Sequence, residues 1–122
     1  MRLPQSDDQV LLLHNPRCSK SRATAQLLEE SGIAFTEHRY LEAPLTRDEL
    51  VELGRRLDLR VRDWTRTGEA AFREADLGSA RDEELLDAMV AEPVLMQRPI
   101  VVTAARAKIG RPPGQVLELF ED

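Results

Sequence analysis

Apolar positions along this chain follow two patterns: short continuous runs, and longer stretches with helical spacing. The continuous runs at residues 10–13 and 99–102 predict buried strands, because both faces of such a strand are covered. Stretches in which apolar residues recur three or four positions apart predict amphipathic helices. Thr46 and Glu49 make a capping box that begins a helix, and Gly32 lies where a helix is expected to end. The predicted elements are strand 10–13, helix 18–31, strand 33–41, helix 46–57, further helices up to residue 92, strands 98–103 and 107–109, and a last helix after residues 111–113.

The order of these elements predicts the fold class. Strand, helix and strand come first, a helical block follows, and two strands and a helix complete the chain. This is the layout of an α/β protein with a thioredoxin-like fold: a mixed four-stranded sheet flanked by helices, with a helical insertion in the middle. One domain is expected over residues 1–122, with residues 1–8 as a disordered lead-in. The residues predicted to pack inside are Ala23, Leu27, Leu28, Val61, Trp64, Leu77, Leu85, Leu86, Met89 and Val90.

Composition and charge exclude several classes of protein. The chain has 122 residues and a formal net charge of −5 at pH 7, so a nucleic-acid-binding surface is not expected. No apolar run approaches the ~20 residues of a transmembrane helix. The first residues lack a signal-peptide pattern, and a cytoplasmic monomer without membrane contact is expected. One cysteine and two histidines exclude a disulfide framework and offer no ligand spacing for a metal.

Cys18 is the main candidate for chemistry. It follows a predicted strand and a proline-containing loop, and it begins a predicted helix. The unpaired N–H groups and partial positive charge of a helix N-terminus favour a thiolate over a thiol. A small buried hydrophobe is the other common fate of a free cysteine, but the polar surroundings in PRCSKSR argue against burial. The sequence therefore predicts a reactive thiolate at Cys18.

Three neighbours are candidates for tuning this thiolate. Ser21 lies in the first turn of the same helix, where its hydroxyl can donate a hydrogen bond to the sulfur. Arg22 adds positive charge, as do Arg17 and Lys20. His14 either tunes the thiolate or anchors the backbone at the strand end, and the sequence leaves both interpretations open. Ser21 also occupies the place of the second cysteine in a C-x-x-C motif, so an oxidised Cys18 must be resolved by an external thiol.

Two X-Pro pairs lie near the predicted last strands. Arg98 precedes Pro99 at a strand start, and Arg111 precedes Pro112 at a helix start. An X-Pro bond in a tight functional turn is a place where a cis isomer can be selected. Pro99 is the more important candidate, because thioredoxin-like folds place a cis-proline beside the reactive cysteine.

Three motifs together resemble one protein family. Residues 14–22, with the sequence HNPRCSKSR, resemble the signature of the glutaredoxin-dependent arsenate reductases of the ArsC type. The sequences RPIVV at 98–102 and IGRPPGQVL at 109–117 are similar to two further motifs of that family. The similarity covers nearly the whole chain and is greatest with the short branch of the family. The resemblance by itself also implies the thioredoxin-like fold.

The resemblance implies a nucleophile and an anion site. Cys18 matches the family nucleophile, and Arg98 and Arg111 match two of its three anion-binding arginines. Arg66 is the better match for the third, and Arg62 is the alternative. The implied reaction reduces arsenate to arsenite through a thiol–arsenate adduct. Glutathione is then the expected co-substrate and glutaredoxin the expected partner, with no bound cofactor.

Two other functions fit the same residues. A glutathione-dependent thiol oxidoreductase would need Cys18 and the fold but not the three arginines. A non-enzymatic regulator similar to the Spx proteins would share the fold and bind RNA polymerase. Regulators of that kind sense redox state through C-x-x-C, and the serine at position 21 removes this switch.

Overall fold

The computed structural model describes residues 3–121 and contains one mixed four-stranded sheet. The strand order is β2-β1-β3-β4. β1 is parallel to β2 and antiparallel to β3, which is in turn antiparallel to β4. The strands are β1 (Leu11–Leu13), β2 (Thr36–His38), β3 (Ile100–Val102) and β4 (Ala107–Ile109).

The two central strands are buried on both faces, as their continuous apolar runs predict. Leu12 and Val101 face one apolar cluster, which includes Leu28 and Val116. The alternate residues of the same strands face a larger cluster on the other side. Side chains alternate between the faces of a sheet, so three residues of each strand serve two cores.

Helices cover both faces of this sheet. The helices, in chain order, are α1 (Ser19–Glu30), α2 (Arg47–Leu57), α3 (Ala70–Glu74), α4 (Asp82–Ala91) and 3-10 segments at Val61–Trp64, Pro93–Leu95 and Pro113–Phe120. α1 and the last 3-10 helix share one face, and α2 to α4 pack on the other. This arrangement confirms the predicted α/β fold class with a helical insertion. None of these helices in residues 3–121 is long and apolar enough to cross a membrane.

The insertion is built from strong local signals. The Thr46 hydroxyl oxygen accepts a hydrogen bond from the Glu49 N–H at 3.2 Å, and the Glu49 carboxylate accepts one from the Thr46 N–H at 2.8 Å. This capping box begins α2 where the sequence predicts it. Trp64 is fully buried and packs against Gly54, where an added Cβ would lie 3.3 Å from the indole. The close approach of α2 to Trp64 therefore depends on a residue without a side chain.

Several packing predictions are wrong in detail. Ala23 is exposed, and α1 instead buries Ser21, Thr24 and Leu28. Val90 is 38% exposed, while its predicted companions Leu85, Leu86 and Met89 are buried. α1 faces the close-packed turns that carry Pro99 and Gly110, and small polar side chains fit there better than leucine. That contact is made by residues far apart in sequence, so helical periodicity alone does not reveal it.

Two predicted segments also differ from the structure. β2 spans only residues 36–38 instead of 33–41, because this edge strand pairs with a short β1. The predicted disordered lead-in is wrong at Leu3 and Pro4, which are buried. Arg56 donates to the Pro4 carbonyl at 2.8 Å and fixes this segment against α2. Residues 1 and 2 of the predicted lead-in lie outside the described residues.

Candidate active site

Cys18 lies at the N-cap of α1, in the loop that follows β1. Its backbone is extended, with φ −95° and ψ 124°. The Cys18 N–H donates to the Asn15 carbonyl at 2.9 Å, and the Arg17 N–H donates to the Asn15 side-chain oxygen at 3.0 Å. These bonds close the loop formed by the sequence NPRC. The thiol is therefore held where the first N–H groups of α1 have no partner within the helix.

The surroundings of Cys18 favour its thiolate. Partial burial acts to raise the pKa of the thiol. The backbone N–H groups of Ser21 and Lys20, the Ser21 hydroxyl and the positive charge of Arg98 outweigh this effect. Together they lower the pKa from its ordinary value of 9.0 to about 7. The thiolate, which is the nucleophilic form of cysteine, is therefore favoured near neutral pH.

Among the three predicted tuning residues, Ser21 acts directly on the sulfur. It is fully buried, and its oxygen also accepts a 3.4 Å hydrogen bond from the Asn15 N–H. Arg22 instead donates to the Pro16 carbonyl at 2.9 Å and so braces the loop. Its exposed guanidinium therefore lies beside the turn that leads into Cys18. The structure thus places Arg22 as a residue that supports the loop.

His14 is buried at the end of β1. The backbone N–H of His14 donates to the His38 carbonyl at 2.8 Å, and this bond extends the β1–β2 pairing. Burial lowers the pKa of the imidazole, and Arg39 and Arg22 lower it further against the opposing effect of Glu37. Burial therefore favours the neutral imidazole. The buried Nδ1 of the ring has no hydrogen-bond partner among residues 3–121, so it is the main chain of His14, and not this ring atom, that anchors the strand end.

Two of the predicted anion-binding arginines lie together at the same end of the sheet. β3 runs antiparallel to β1, with Ile100 opposite Leu13, so the residues before β3 lie beside the loop after β1. Arg111 donates to the Arg98 carbonyl at 3.2 Å. The Arg98–Pro99 and Arg111–Pro112 peptide bonds are both cis.

Gly110 makes this arrangement sterically possible. Its N–H donates to the Pro99 carbonyl at 2.8 Å. An added Cβ would lie 2.7 Å from the Thr24 hydroxyl oxygen and 2.8 Å from Cγ of Pro99. α1, the Pro99 turn and the end of β4 therefore approach more closely than any side chain at position 110 allows.

Arg66 joins the other two arginines, whereas Arg62 does not. The Arg66 N–H donates to the Leu95 carbonyl at 2.7 Å, which ties the insertion to the chain leading into Arg98. Burial lowers the pKa of Arg66, and the charges of Arg98 and Arg111 lower it further. Arg62 donates to the Ala80 carbonyl at 2.9 Å and lies over the Phe72 ring. The structure therefore selects Arg66 as the third cation near the thiolate.

This cluster is suited to bind an anion. Nε of Arg98 is buried and has no hydrogen-bond partner among the described residues. A buried charged donor is costly to leave unpaired. Arg98 acts on the Cys18 thiol, and it lies close to Arg66 and Arg111. An oxyanion placed between the sulfur and these guanidinium groups would pair the free donor. The arrangement can present a nucleophilic sulfur to a bound oxyanion.

Sequence reasoning missed two residues of this site. Tyr40 is 1% exposed. Burial raises its pKa to about 12, and the charges of Arg98 and Arg66 oppose that effect. It follows β2, and the carboxyl ends of parallel β1 and β2 share one edge of the sheet, so its proximity to Cys18 was available from topology. Glu69 forms an ion pair with Arg66, and both side chains are about a quarter exposed.

Comparison with known proteins agrees with this geometry. The profile of the ArsC family matches residues 13–119. The chain belongs to the ArsC family. Within it, the chain is 46% identical over 114 residues to the uncharacterized protein YfgD of Escherichia coli K12, covering 91% of this chain and 96% of that protein.

Arsenate reductases are also among the relatives of this ArsC chain. It is 38% identical over 115 residues to the arsenate reductase of Escherichia coli K12, covering 93% of this chain and 82% of that protein. The solved structure of an arsenate reductase from Vibrio cholerae superposes with a TM-score of 0.88. The identity to that protein is 45%, and 90% of this chain and 96% of that chain are covered. These relatives support an oxidoreductase with the thioredoxin-like fold.

Proposed function

We propose that this protein reduces arsenate to arsenite through a covalent adduct on Cys18. The observation that carries the proposal is a thiol of pKa about 7 that feels the charge of Arg98. Arg98 clusters in turn with Arg66 and Arg111. The buried and unpaired Nε of Arg98 provides an anion-binding donor at this place. Kinship with arsenate reductases at 36–39% identity supports arsenate as the oxyanion.

In the first step the Cys18 thiolate attacks arsenic(V). One arsenate oxygen leaves as water after taking up protons, and a sulfur–arsenic bond forms without a change in oxidation state. The three guanidinium groups would hold the remaining oxygens and stabilise the charge that develops on them. Ser21 and the first N–H groups of α1 keep the sulfur ionised before the attack.

In the second step glutathione supplies the electrons. Its thiolate attacks the Cys18 sulfur, and the electron pair of the sulfur–arsenic bond stays on arsenic. Arsenic(III) leaves as arsenite, and a disulfide joins Cys18 to glutathione. Cys18 is the single cysteine of the chain, so an external thiol must break this disulfide. Glutaredoxin is the proposed partner for that step, and a thiol-reducing cytoplasm is the proposed location.

A second candidate function is a glutathione-dependent thiol oxidoreductase that acts on other disulfides. The exposed cations Arg17 and Lys20 beside Cys18 favour it, because they could pair with the carboxylates of glutathione. This activity would need the same thiolate but no oxyanion. A regulator of the Spx kind has no comparable support, because position 21 is serine.

A coupled assay tests the proposal. NADPH consumption is measured with glutathione, glutathione reductase and glutaredoxin, with and without arsenate. Cys18→Ser is the inactive control, because an alcohol is a far weaker nucleophile than a thiolate at neutral pH. Arsenate-dependent turnover that disappears in Cys18→Ser is the expected result. Turnover of a model disulfide without any response to arsenate would favour the second candidate, and turnover by Cys18→Ser would contradict both.

A further inference from the structure

Charge is distributed unevenly along this acidic chain. Residues 9–28 and 93–117 contain none of the 22 Asp and Glu residues but seven of the 17 Lys and Arg residues. These two segments supply β1, most of α1, β3, β4 and the turns that carry Cys18, Arg98 and Arg111. The two segments that carry Cys18, Arg98 and Arg111 are therefore positively charged, although the whole chain is negative.

Three exposed cations of the first segment lie within four residues of Cys18 in the chain, and we call them the cationic rim: Arg17, Lys20 and Arg22. Within residues 3–121 none of the three lies within 4 Å of a carboxylate oxygen. Five of the eight other exposed cations in residues 3–121 do, although such pairs are weak. The paired ones are Arg39, Arg47, Arg55, Arg60 and Arg81, and the unpaired ones are Arg73, Arg106 and Arg111.

The cationic rim differs from the arginines that would hold the oxyanion. Arg66 and Arg98 are half-buried, whereas the rim residues are exposed. Arg111 is also exposed, but its guanidinium is bonded to the Arg98 carbonyl. Arg22 is fixed over the loop by its 2.9 Å bond to the Pro16 carbonyl. A single exposed ion pair contributes little binding energy in water. Several exposed charges act strongly on a large partner of opposite charge, whose association rate they can raise by about 10- to 1000-fold.

We propose that the cationic rim docks a protein thiol donor whose reactive cysteine is bordered by carboxylates. This proposal rests on the proposed function, because it names the partner that regenerates the same site. In the docked pair the donor thiolate attacks the glutathione sulfur of the Cys18–glutathione disulfide. The sulfur–sulfur bond breaks, Cys18 leaves as a thiolate, and the donor carries glutathione in a new disulfide. The rim sets how fast the donor arrives.

The test isolates this last step. The Cys18–glutathione disulfide is prepared with oxidised glutathione, and its reduction is timed with a glutaredoxin whose active-site face is acidic. The double variant Arg17→Gln, Lys20→Gln removes two rim charges. Its rate at low salt is expected to fall about tenfold. The rate of the unmodified chain should fall toward the same value at high salt, because the Debye length shortens from about 30 Å at 0.01 M to 3 Å at 1 M.

Two controls separate docking from chemistry. The double variant Arg55→Gln, Arg60→Gln removes the same charge from the insertion and should keep the rate within about twofold of the unmodified chain. Reduction by 2-mercaptoethanol, which is uncharged, should be equal in all chains. Equal loss with both thiols would mean that the rim acts on the sulfur itself and would overturn the proposal. So would a glutaredoxin rate that does not respond to salt.

A binding experiment covers the case in which the mixed disulfide does not form. Cys18→Ser is titrated with the same glutaredoxin at low salt, with and without the two rim substitutions. Weaker binding after the rim substitutions supports docking, and equal binding contradicts it. Neither experiment contains arsenate, so an absence of arsenate turnover would defeat the proposed function and leave the docking result standing.

Discussion

Arginine has different roles in the two segments without Asp or Glu, residues 9–28 and 93–117, and in the helical insertion. Residues 46–92 contain eight Arg and thirteen Asp and Glu residues, and there the guanidinium groups are largely occupied by structure. Arg62 bonds the Ala80 carbonyl, and Arg56 bonds Glu52 and two carbonyls. Within residues 3–121, by contrast, Arg98 forms no ion pair with a carboxylate, and its Nε has no hydrogen-bond partner. The local supply of carboxylates thus decides whether an arginine builds the fold or faces a ligand.

Arg66 lies between these two uses. It belongs to the insertion and pairs with Glu69, as many arginines of that region pair with a carboxylate. It also lies close enough to Arg98 and Arg111 for their charges to lower its pKa. The insertion therefore contributes a cation to a site whose other parts come from the sheet.

The largest expected effect is the loss of arsenate reduction in Arg98→Ala, which we compare with Arg62→Ala in the insertion. Arg98→Ala removes an oxyanion donor and a charge that favours the Cys18 thiolate. We expect a loss of about 2–4 kcal/mol in transition-state stabilisation, or roughly 30- to 1000-fold in kcat/KM for arsenate. Steady-state kinetics in the coupled assay measures it.

Arg62→Ala is the matched control for that experiment. It removes a 2.9 Å bond to the Ala80 carbonyl and a contact with the Phe72 ring. Thermal unfolding should show a lower Tm, while kcat/KM stays close to that of the unmodified chain. A similar kinetic loss in both variants would contradict the difference between the two regions.

Gly110→Ala tests whether the turns around the site depend on the close contact of Gly110 with α1 and Pro99. The added Cβ would meet Thr24 and Pro99 at 2.7 and 2.8 Å, so either the turn or α1 must shift. We expect a loss of about 1–3 kcal/mol in the free energy of unfolding, as for other overpacked positions. Denaturant unfolding measures it. Gly78→Ala, where nothing lies within 4 Å of the added Cβ, should be nearly neutral, and equal losses would argue against the close contact.

Ser21→Ala should move the ionisation of Cys18. The hydroxyl lowers the pKa of the thiol, so its removal should shift the midpoint of the alkylation rate upward from about 7. Iodoacetamide alkylation across a pH series measures this shift, because the thiolate is the reacting form. Ser79→Ala, an exposed serine in the insertion, should leave the midpoint unchanged. An unchanged midpoint in Ser21→Ala would remove this serine from the site.

The same ionisation is linked to stability. The folded state lowers the pKa of Cys18 from 9.0 to about 7. The folded chain therefore binds fewer protons than the unfolded chain between these values. Relative to Cys18→Ser, the stability of the unmodified chain should rise from pH 7 to 9 and lose this increment as pH falls through 7.

Glu69→Gln should have the smallest effect. Glu69 pairs with Arg66, so an incoming oxyanion competes with this carboxylate for the guanidinium. Removal of its charge should tighten the binding of phosphate, used as an unreactive oxyanion, by a few-fold, in keeping with the weak energies of partly exposed pairs. Isothermal titration of phosphate measures it, with the exposed Glu42→Gln as control. Weaker binding would show instead that Glu69 holds Arg66 in place.

Local signals predicted much of the fold. The apolar runs at residues 10–13 and 98–103 became β1 and β3, and the capping box at Thr46 begins α2. Each depends on neighbours in sequence. The buried face of α1 was predicted incorrectly at Ala23, because Thr24 packs against turns about 80 residues away.

The site residues that lie in sequence motifs were predictable. Cys18 and Arg98 lie in short recognisable sequences, and the structure places them close together. Arg66 was left uncertain against Arg62, since their roles depend on which guanidinium meets a carbonyl of the insertion. Tyr40 was missed because only the pairing of β2 with β1 brings it close to Cys18, and no sequence motif indicates that pairing.

Arg56 fixes the N-terminal segment at the end of the sheet that lies away from Cys18, and this end is suited to chemical attachment. Its guanidinium joins the carbonyls of Pro4 and Thr103 at 2.8 and 2.9 Å. Thr103 follows β3, and Pro99 precedes it. The contacts of Arg56 therefore lie at the end of the sheet opposite to the reactive sulfur. A dye or surface tether attached at the exposed Gln5 would therefore leave the approach to Cys18 open. Single-molecule or immobilised measurements of thiol exchange can be anchored at that end.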